Sequence, residues 1–306
     1  MARVEKARMP RWMRRRVVYG PALRRVEEVL AEEGLATVCV GARCPNRGEC
    51  YCAGTATFMI LGDRCTRDCR FCAVPFGPVS PPDPGEPEAL ARAASRMGLR
   101  HVVITSVTRD DLPDGGAGQF VRTVKAVREA LPKATVEVLI PDFNGDRAAV
   151  DKVIGVGPDV YNHNVETVKR LYPQVRPRAA YERSLAVLSI GREAGLITKS
   201  GFMVGLGESE AETGRLLGDL LVAGCCLLTV GQYLRPTAES ETVRRYYRTE
   251  EFDALREKAL DMGFEAVAAG PYVRSSYFAG EMLQSVREKR TADRRKRCSQ
   301  DEMARR

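Results

Sequence analysis

The sequence has no apolar run near the roughly 18 residues that a membrane-spanning helix needs, which sets membrane insertion aside. No apolar segment follows the basic N-terminus, so the opening does not read as a secretory signal. That opening is arginine-rich like a mitochondrial transit peptide, but Glu5 and the lack of serine argue against one. Tryptophan occurs once, as Trp12 in "MPRWMRRR", where it is expected to anchor the N-terminal arm. Without a signal, and with 306 residues to build a core, disulfide staples are not required. Cysteine is nonetheless plentiful. Of ten cysteines, seven fall between Cys39 and Cys72, and their spacing reads better as metal ligation in a reducing compartment, here the cytoplasm.

One absence is sharper. "LGDRCTRDCRFCAV" sets Cys65, Cys69 and Cys72 at spacings of three and two residues, and no fourth cysteine follows until Cys225. Three thiolates can hold three irons of a [4Fe–4S] cluster and leave the fourth iron open. The alternative is a zinc site completed by a distant residue. A second set, Cys39, Cys44 and Cys50 in "TVCVGARCPNRGECYC", lies just upstream, with Cys52 as a rival to Cys50.

The formal charge of +8 is concentrated at the ends. Residues 1–30 carry nine basic and three acidic residues, and residues 287–306 carry nine and four, so the body between is slightly acidic. Two readings stay open for these ends, solvated termini or docking of an acidic partner or nucleic acid.

From residue 57 onward β-prone runs alternate with helical periodicity. Candidate strands are residues 57–62, 101–107, 136–142, 159–165, 199–207 and 227–234. Phe120, Val124, Val127 and Leu131 lie on one helical face, as do Leu216 and Leu220 behind a capping box at Ser209 and Glu212. Thr249 reads as the cap of a helix carrying Phe252, Leu255, Ala259 and Met262, ended by Gly263. The proline-rich stretch 75–87 is a loop, not a linker. Six βα units predict an α/β fold, a partial (β/α)6 TIM-like barrel with an N-terminal cysteine-rich extension and a C-terminal return segment. The expected divisions are residues 1–56, 57–248 and 249–306. In such barrels the C-terminal strand ends form the working face. Cys65, Cys69 and Cys72 follow the first strand, and Asn162, His163 and Asn164 end the fourth. His101 reads as structural, and Cys225–Cys226 as buried, inert thiols.

Cysteines at 65, 69 and 72 in that loop resemble the radical SAM superfamily. The upstream set, with "TSVTRDDLPDGGAGQF", "VEVLIPDF", "YNHNVETV", "GFMVGLGE" and "VRSSYFAGE", resembles the lipoyl synthase family over roughly residues 36–281. The resemblance implies that S-adenosylmethionine occupies the open iron position, contacted by Gly115 and Gly116 and by Gly201, Gly205 and Glu208. It implies a second, auxiliary [4Fe–4S] cluster on Cys39, Cys44, Cys50 and Ser276, with Arg274 to Tyr277 returning to it. Asn162, His163, Asn164 and Arg274 become candidates near the substrate, and no side chain serves as acid or base. The implied reaction inserts two sulfurs at C6 and C8 of a protein-bound octanoyl chain, consuming two S-adenosylmethionine molecules. The implied partners are an octanoylated lipoyl domain or glycine-cleavage H protein, a flavodoxin or ferredoxin reductant and a cluster-repair protein. Two departures stand out: Tyr51–Cys52 where the family usually has tryptophan, and Val40–Gly41 where acidic residues are common. A tRNA methylthiotransferase or a zinc-binding nucleic-acid module would share some of these features. Neither accounts for the whole ordered set, and nucleic acid is not the expected partner.

Overall fold

The computed structural model describes residues 9–14, 20–52 and 56–304, without side chains at 293 and 295–304. Glu5 and most of the N-terminal arm therefore lie outside the described residues, as does the Cys298 side chain.

Eight strands form one sheet in sequence order: β1 (Ala36–Thr37), β2 (Thr57–Ile60), β3 (His101–Ser106), β4 (Thr135–Leu139), β5 (Val160–Asn162), β6 (Thr198–Val204), β7 (Leu227–Gln232) and β8 (Ala266–Gly270). Every pairing from β2 to β8 is parallel, and β1 runs antiparallel to β2. Strands β2 to β7 are the six expected from the sequence. The two extra strands extend the sheet at both edges, and β1 and β8 are not paired with each other. The barrel is open on that side.

The helices are α1 (Pro21–Glu32), α2 (Val38–Gly41), α3 (Arg47–Cys52), α4 (Glu86–Arg96), α5 (Ala117–Ala130), α6 (Arg147–Gly155), α7 (Tyr172–Val175), α8 (Tyr181–Glu193), α9 (Glu210–Val222), α10 (Thr249–Met262) and α11 (Ala279–Ala304). Among the described residues no helix is long and apolar enough to cross a membrane. Helices packed between successive parallel strands bury the outer sheet face. Phe120, Val124 and Val127 of α5 join Ile104 and Val138 in one core cluster. Leu216, Leu217 and Leu220 of α9 join Phe202 and Val230 in another. Ser209 and Glu212 form the expected reciprocal cap of α9. For α10 the cap is shifted: Arg248 holds the cap position, its N–H donating to Glu251, while Gly263 ends the helix at φ +118° as expected.

The C-terminal basic stretch is helical as far as Ala304. It belongs to α11, whose Met282, Leu283 and Val286 pack on Val160 and Leu227, the first residues of β5 and β7. Arg287 pairs with Asp159, and Arg290 with Glu265 at 2.6 Å. This helix covers the N-terminal strand ends, opposite the face that carries Cys65. The N-terminal segment also departs from expectation. Trp12 is half exposed, and its neighbour Met13 is buried instead, its carbonyl accepting a bond from the Tyr272 hydroxyl.

Candidate functional site

Strand β2 is buried throughout and ends in a forced turn: Leu61 adopts φ +70° and Gly62 φ +96°. The Leu61 N–H donates to both Glu86 carboxylate oxygens at 3.0 Å, which fixes the exit from the strand. The loop beyond carries Cys65, Cys69 and Cys72. Its anchor is the buried Arg67, which donates to Asp110 at 2.7 and 2.8 Å and to Asn144 at 2.7 Å, and pairs with Asp142 at 2.8 Å. A planar guanidinium held by two carboxylates from neighbouring strand ends leaves the loop little freedom. Burial alone would raise the Asp142 carboxyl, but Arg67 holds it down at about 2.

Backbone amides point at the thiols of this loop. The N–H groups of Arg67 and Thr108 donate to Cys65 Sγ at 3.4 and 3.3 Å, and that of Val74 to Cys72 Sγ at 3.4 Å. Burial pushes Cys72 up to about 12 and Cys69 upward as well, so these thiols stay protonated until something replaces the proton.

Cys39, Cys44 and Cys50 come from the segment flanking α2 and α3. Thr37 caps α2 by accepting from the Val40 N–H, and its hydroxyl meets Tyr51 at 2.9 Å. The two chain ends meet here: Asn46 donates to the Tyr272 carbonyl at 2.6 Å, Tyr277 bonds Glu49 at 3.0 Å, and Thr57 donates to Ser276 Oγ at 2.7 Å. Burial raises Cys39 to about 11.

All six of these cysteines line one cavity of about 490 Å³, together with Ser275, Ser276 and Arg274. Cys50 faces it, while Cys52 is exposed and lies outside it. Among the described residues no three Cys, His, Asp or Glu side chains are grouped as a single metal ion would require. Cys225 is buried and Cys226 half-buried, each bonded to a backbone carbonyl, as inert thiols would be.

The remaining wall comes from the strand ends. His163 and Asn164 line it, as do Glu166, Arg176 and Gly201. A Cβ at Gly201 would sit 2.4 Å from Thr229 Oγ1, so the position must be glycine. His163 Nδ1 donates to the Ile140 carbonyl at 2.8 Å, leaving Nε2 buried without a partner among the described residues. Burial, with the Arg176 charge, lowers this imidazole to about 4. Glu166 stands at φ +66°, and burial raises its carboxyl. Burial also lowers Arg274, against the charges of Cys44 and Glu166.

Several of the expected residues do not line this cavity. Gly115 and Gly116 do not line the cavity; Thr105, Ser106, Val107 and Thr108 do so at that strand end. The glycine pair has its own physical cause. Both have positive φ, and a Cβ would meet Phe143 at 2.8 Å or Leu61 at 2.2 Å. Glu208 and Gly205 are also outside the lining. Glu208 accepts from the N–H groups of Gly205 and Leu206 at 2.6 and 2.9 Å, holding the turn after β6. Asn162 is fully buried behind the wall, donating to Glu137 at 2.7 Å and to Ser275 Oγ at 2.8 Å. Sequence reasoning did not single out Arg67, Glu166, Arg176 or Thr57. Each is a lone polar residue whose importance comes from three-dimensional placement, although Arg67 does sit between two cysteines.

Comparison with known proteins agrees with this layout. Residues 59–220 match the profile of the radical SAM superfamily. Lipoyl synthase of Rubrobacter xylanophilus is 53% identical over 280 residues, covering 91% of this chain and 87% of that one. Lipoyl synthase of Chlorobium phaeovibrioides is 52% identical over 279 residues, covering 90% and 98%. Among solved structures, methylornithine synthase superposes with a TM-score of 0.52 at 15% identity, covering 78% and 73% of the chains, a likeness of fold alone. With half the residues shared across nine-tenths of its length, the chain belongs to the lipoyl synthase family of the radical SAM superfamily.

Proposed function

We propose that this chain is a sulfurtransferase that inserts two sulfur atoms, at C6 and C8, into an octanoyl chain borne by a lysine of a carrier protein. The observation that carries the reading is that both three-cysteine sets open on one cavity. Cys65, Cys69 and Cys72 would hold one [4Fe–4S] cluster with its fourth iron open, and Cys39, Cys44, Cys50 and Ser276 a second. The donor chemistry fits: soft thiols, with amide N–H groups directed at Cys65 and Cys72, suit iron–sulfur centres. When bound, the first cluster with S-adenosylmethionine supplies one radical per sulfur, hence two cofactor molecules per product, and the second supplies the sulfur.

Unactivated C–H bonds give an acid or base nothing to act on, so the protein's own residues bind and orient. Arg67 fixes the first cysteine loop. Both serines line the cavity, but Ser275 Oγ is committed to Asn162 and Asn164, while Ser276 Oγ has a single bond, from Thr57, which favours Ser276 as the fourth ligand. A serine oxygen is harder and more readily protonated than a thiolate, and suits an iron that must be released. His163, Asn164 and Arg274 line the substrate space, and Gly201 lets the cofactor approach the backbone of β6. Gly115, Gly116, Gly205 and Glu208 shape the surrounding turns and stay proposed as contacts of S-adenosylmethionine. The carrier is an octanoylated lipoyl domain or glycine-cleavage H protein, the reductant a flavodoxin or ferredoxin, and a repair protein rebuilds the consumed cluster in the cytoplasm. Residues 1–56, 57–248 and 249–306 serve as extension, barrel core and closing segment.

The test is anaerobic reconstitution followed by mass spectrometry of an octanoylated lipoyl domain. About eight irons should bind. Cys65→Ala should abolish S-adenosylmethionine cleavage, and Cys44→Ala should preserve cleavage while stopping sulfur transfer. Four irons in the unmodified chain would sink the reading.

A further inference from the structure

We propose that Thr57 is a positioning residue for the serine at the open edge of the barrel, its hydroxyl fixing and supporting the Ser276 oxygen as a metal ligand. The proposal rests on the assignment of Ser276 above.

Thr57 is the first residue of β2, 3% exposed, and it lines the cavity. Its hydroxyl donates to Ser276 Oγ at 2.7 Å, across 219 residues of chain. Its neighbour Phe58 pairs with Thr37 of β1, two residues before Cys39, and both Thr57 and Cys39 line the cavity. A residue on a rigid strand thus stands beside the segment that carries the upstream cysteines and bonds the serine from the far end of the chain.

The chemistry needs such a group. A serine side chain has three staggered wells, and nothing intrinsic selects the one that faces the cavity. Thr57 is β-branched and held in a buried strand, so its own χ1 is restricted and its hydroxyl is a fixed reference. Donation from Thr57 takes one acceptor site of Ser276 Oγ and leaves the oxygen able to turn a lone pair toward the cavity. A serine that binds metal does so best without its proton. A hydroxyl donating to that charged oxygen makes a stronger, charge-assisted bond than to a neutral one. Ser275 differs on every count. Its oxygen accepts from Asn162 and donates to Asn164 Oδ1 at 3.0 Å.

Groups that orient metal ligands typically contribute 10- to 100-fold to metal affinity. The experiment reads iron release rather than turnover. The full chain with Cys65, Cys69 and Cys72 all changed to alanine is reconstituted anaerobically, so that iron sits on the upstream set alone. Loss of the visible absorbance to a ferrous chelator is then followed in time. Thr57→Val and Thr57→Ala should each release iron at least tenfold faster than the parent, and Thr57→Ser should restore the rate to within about threefold. Thermal unfolding of the apo-chains, read beside it, should differ little between Thr57→Val and Thr57→Ser. Ser276→Ala in the same background separates the two readings. If it releases iron at the parent rate, the serine assignment itself fails. If it is fast while Thr57→Val and Thr57→Ala match the parent, only the role of Thr57 is overturned. Failure of both hydroxyl-free variants to fold, with Thr57→Ser normal, would also overturn it, because the hydroxyl would then serve the fold.

Discussion

Replacing Lys199 by methionine should destabilise the fold far more than its loss of contact area suggests. Lys199 and Glu137 are both fully buried inside the barrel, with Nζ at 3.0 and 3.1 Å from the two carboxylate oxygens. Burial by itself would raise the Glu137 carboxyl, yet the Lys199 charge, with the Asn162 amide bonded to it, holds it at about 2. Taking away the ammonium strands a buried carboxylate, a loss of about 3–5 kcal/mol in comparable pairs. For a chain of this size that lowers the melting temperature by roughly 5–8 °C. Changing both residues, Lys199→Met with Glu137→Leu, removes the stranded charge. It should recover all but about 1–3 kcal/mol, the remainder being one N–H of the Asn162 amide that loses Glu137 while the other keeps Ser275. The assay is urea unfolding of the reduced apo-chain at pH 7.5, wild type beside both single variants and the double. Were Lys199→Met to cost under about 1 kcal/mol, or the double variant to equal the sum of the singles, the pair would be electrostatically idle and the argument wrong.

Two further outcomes follow. Cys50→Ala should lose the iron bound by the upstream set while Cys52→Ala keeps it, because Cys50 faces the cavity and Cys52 does not; metal analysis of the two variants decides it. Burial holds folded-state His163 at about 4, against about 6.5 in the unfolded chain, so the unfolded chain binds more protons between those values. Its contribution is whole above about pH 6.5 and drains away as pH falls toward 4, up to about 3 kcal/mol; His163→Gln should flatten unfolding free energy between pH 7 and 5.

The β-branched and apolar runs of β2 to β7 were readable in the sequence because strands buried on both faces leave little room for polar residues. Strand β8 was not. Its "AVAAG" has weak β-propensity, and it forms because the exposed edge of β7 offers it five consecutive partners. The basic C-terminus read as a tail for a similar reason. Its charged sequence hides the few apolar residues, Met282, Leu283 and Val286, that dock α11. Both cysteine sets were legible from spacing, and their meeting in one cavity was not, since no local signal shows that a barrel stays open. Gly115–Gly116 carries two readings that the sequence cannot separate, since a glycine pair needed to seat Leu61 and Phe143 looks, in sequence, like one that seats a ligand.

The open barrel accounts for the position of the chain's two ends. A closed sheet would pair β2 with its last strand and leave no side entrance. Here β1 and β8 stay apart, and the gap is spanned by side chains from both ends: Asn46 to Tyr272, Glu49 to Tyr277, Thr57 to Ser276. The upstream cysteines therefore stand at the edge of the barrel and the downstream ones on its strand-end face, with the cavity between them. That arrangement suits a reaction in which the same two carbons must meet a radical source and then a sulfur source. An extended acyl chain lying in one cavity can be turned from one thiol set to the other without leaving it. Two separate pockets would require release between the steps, exposing a carbon radical to solvent. The shared cavity removes that interval, and on either side of it a polar side chain ties distant parts of the chain together, Arg67 to Asp110 and Asn144 and Thr57 to Ser276.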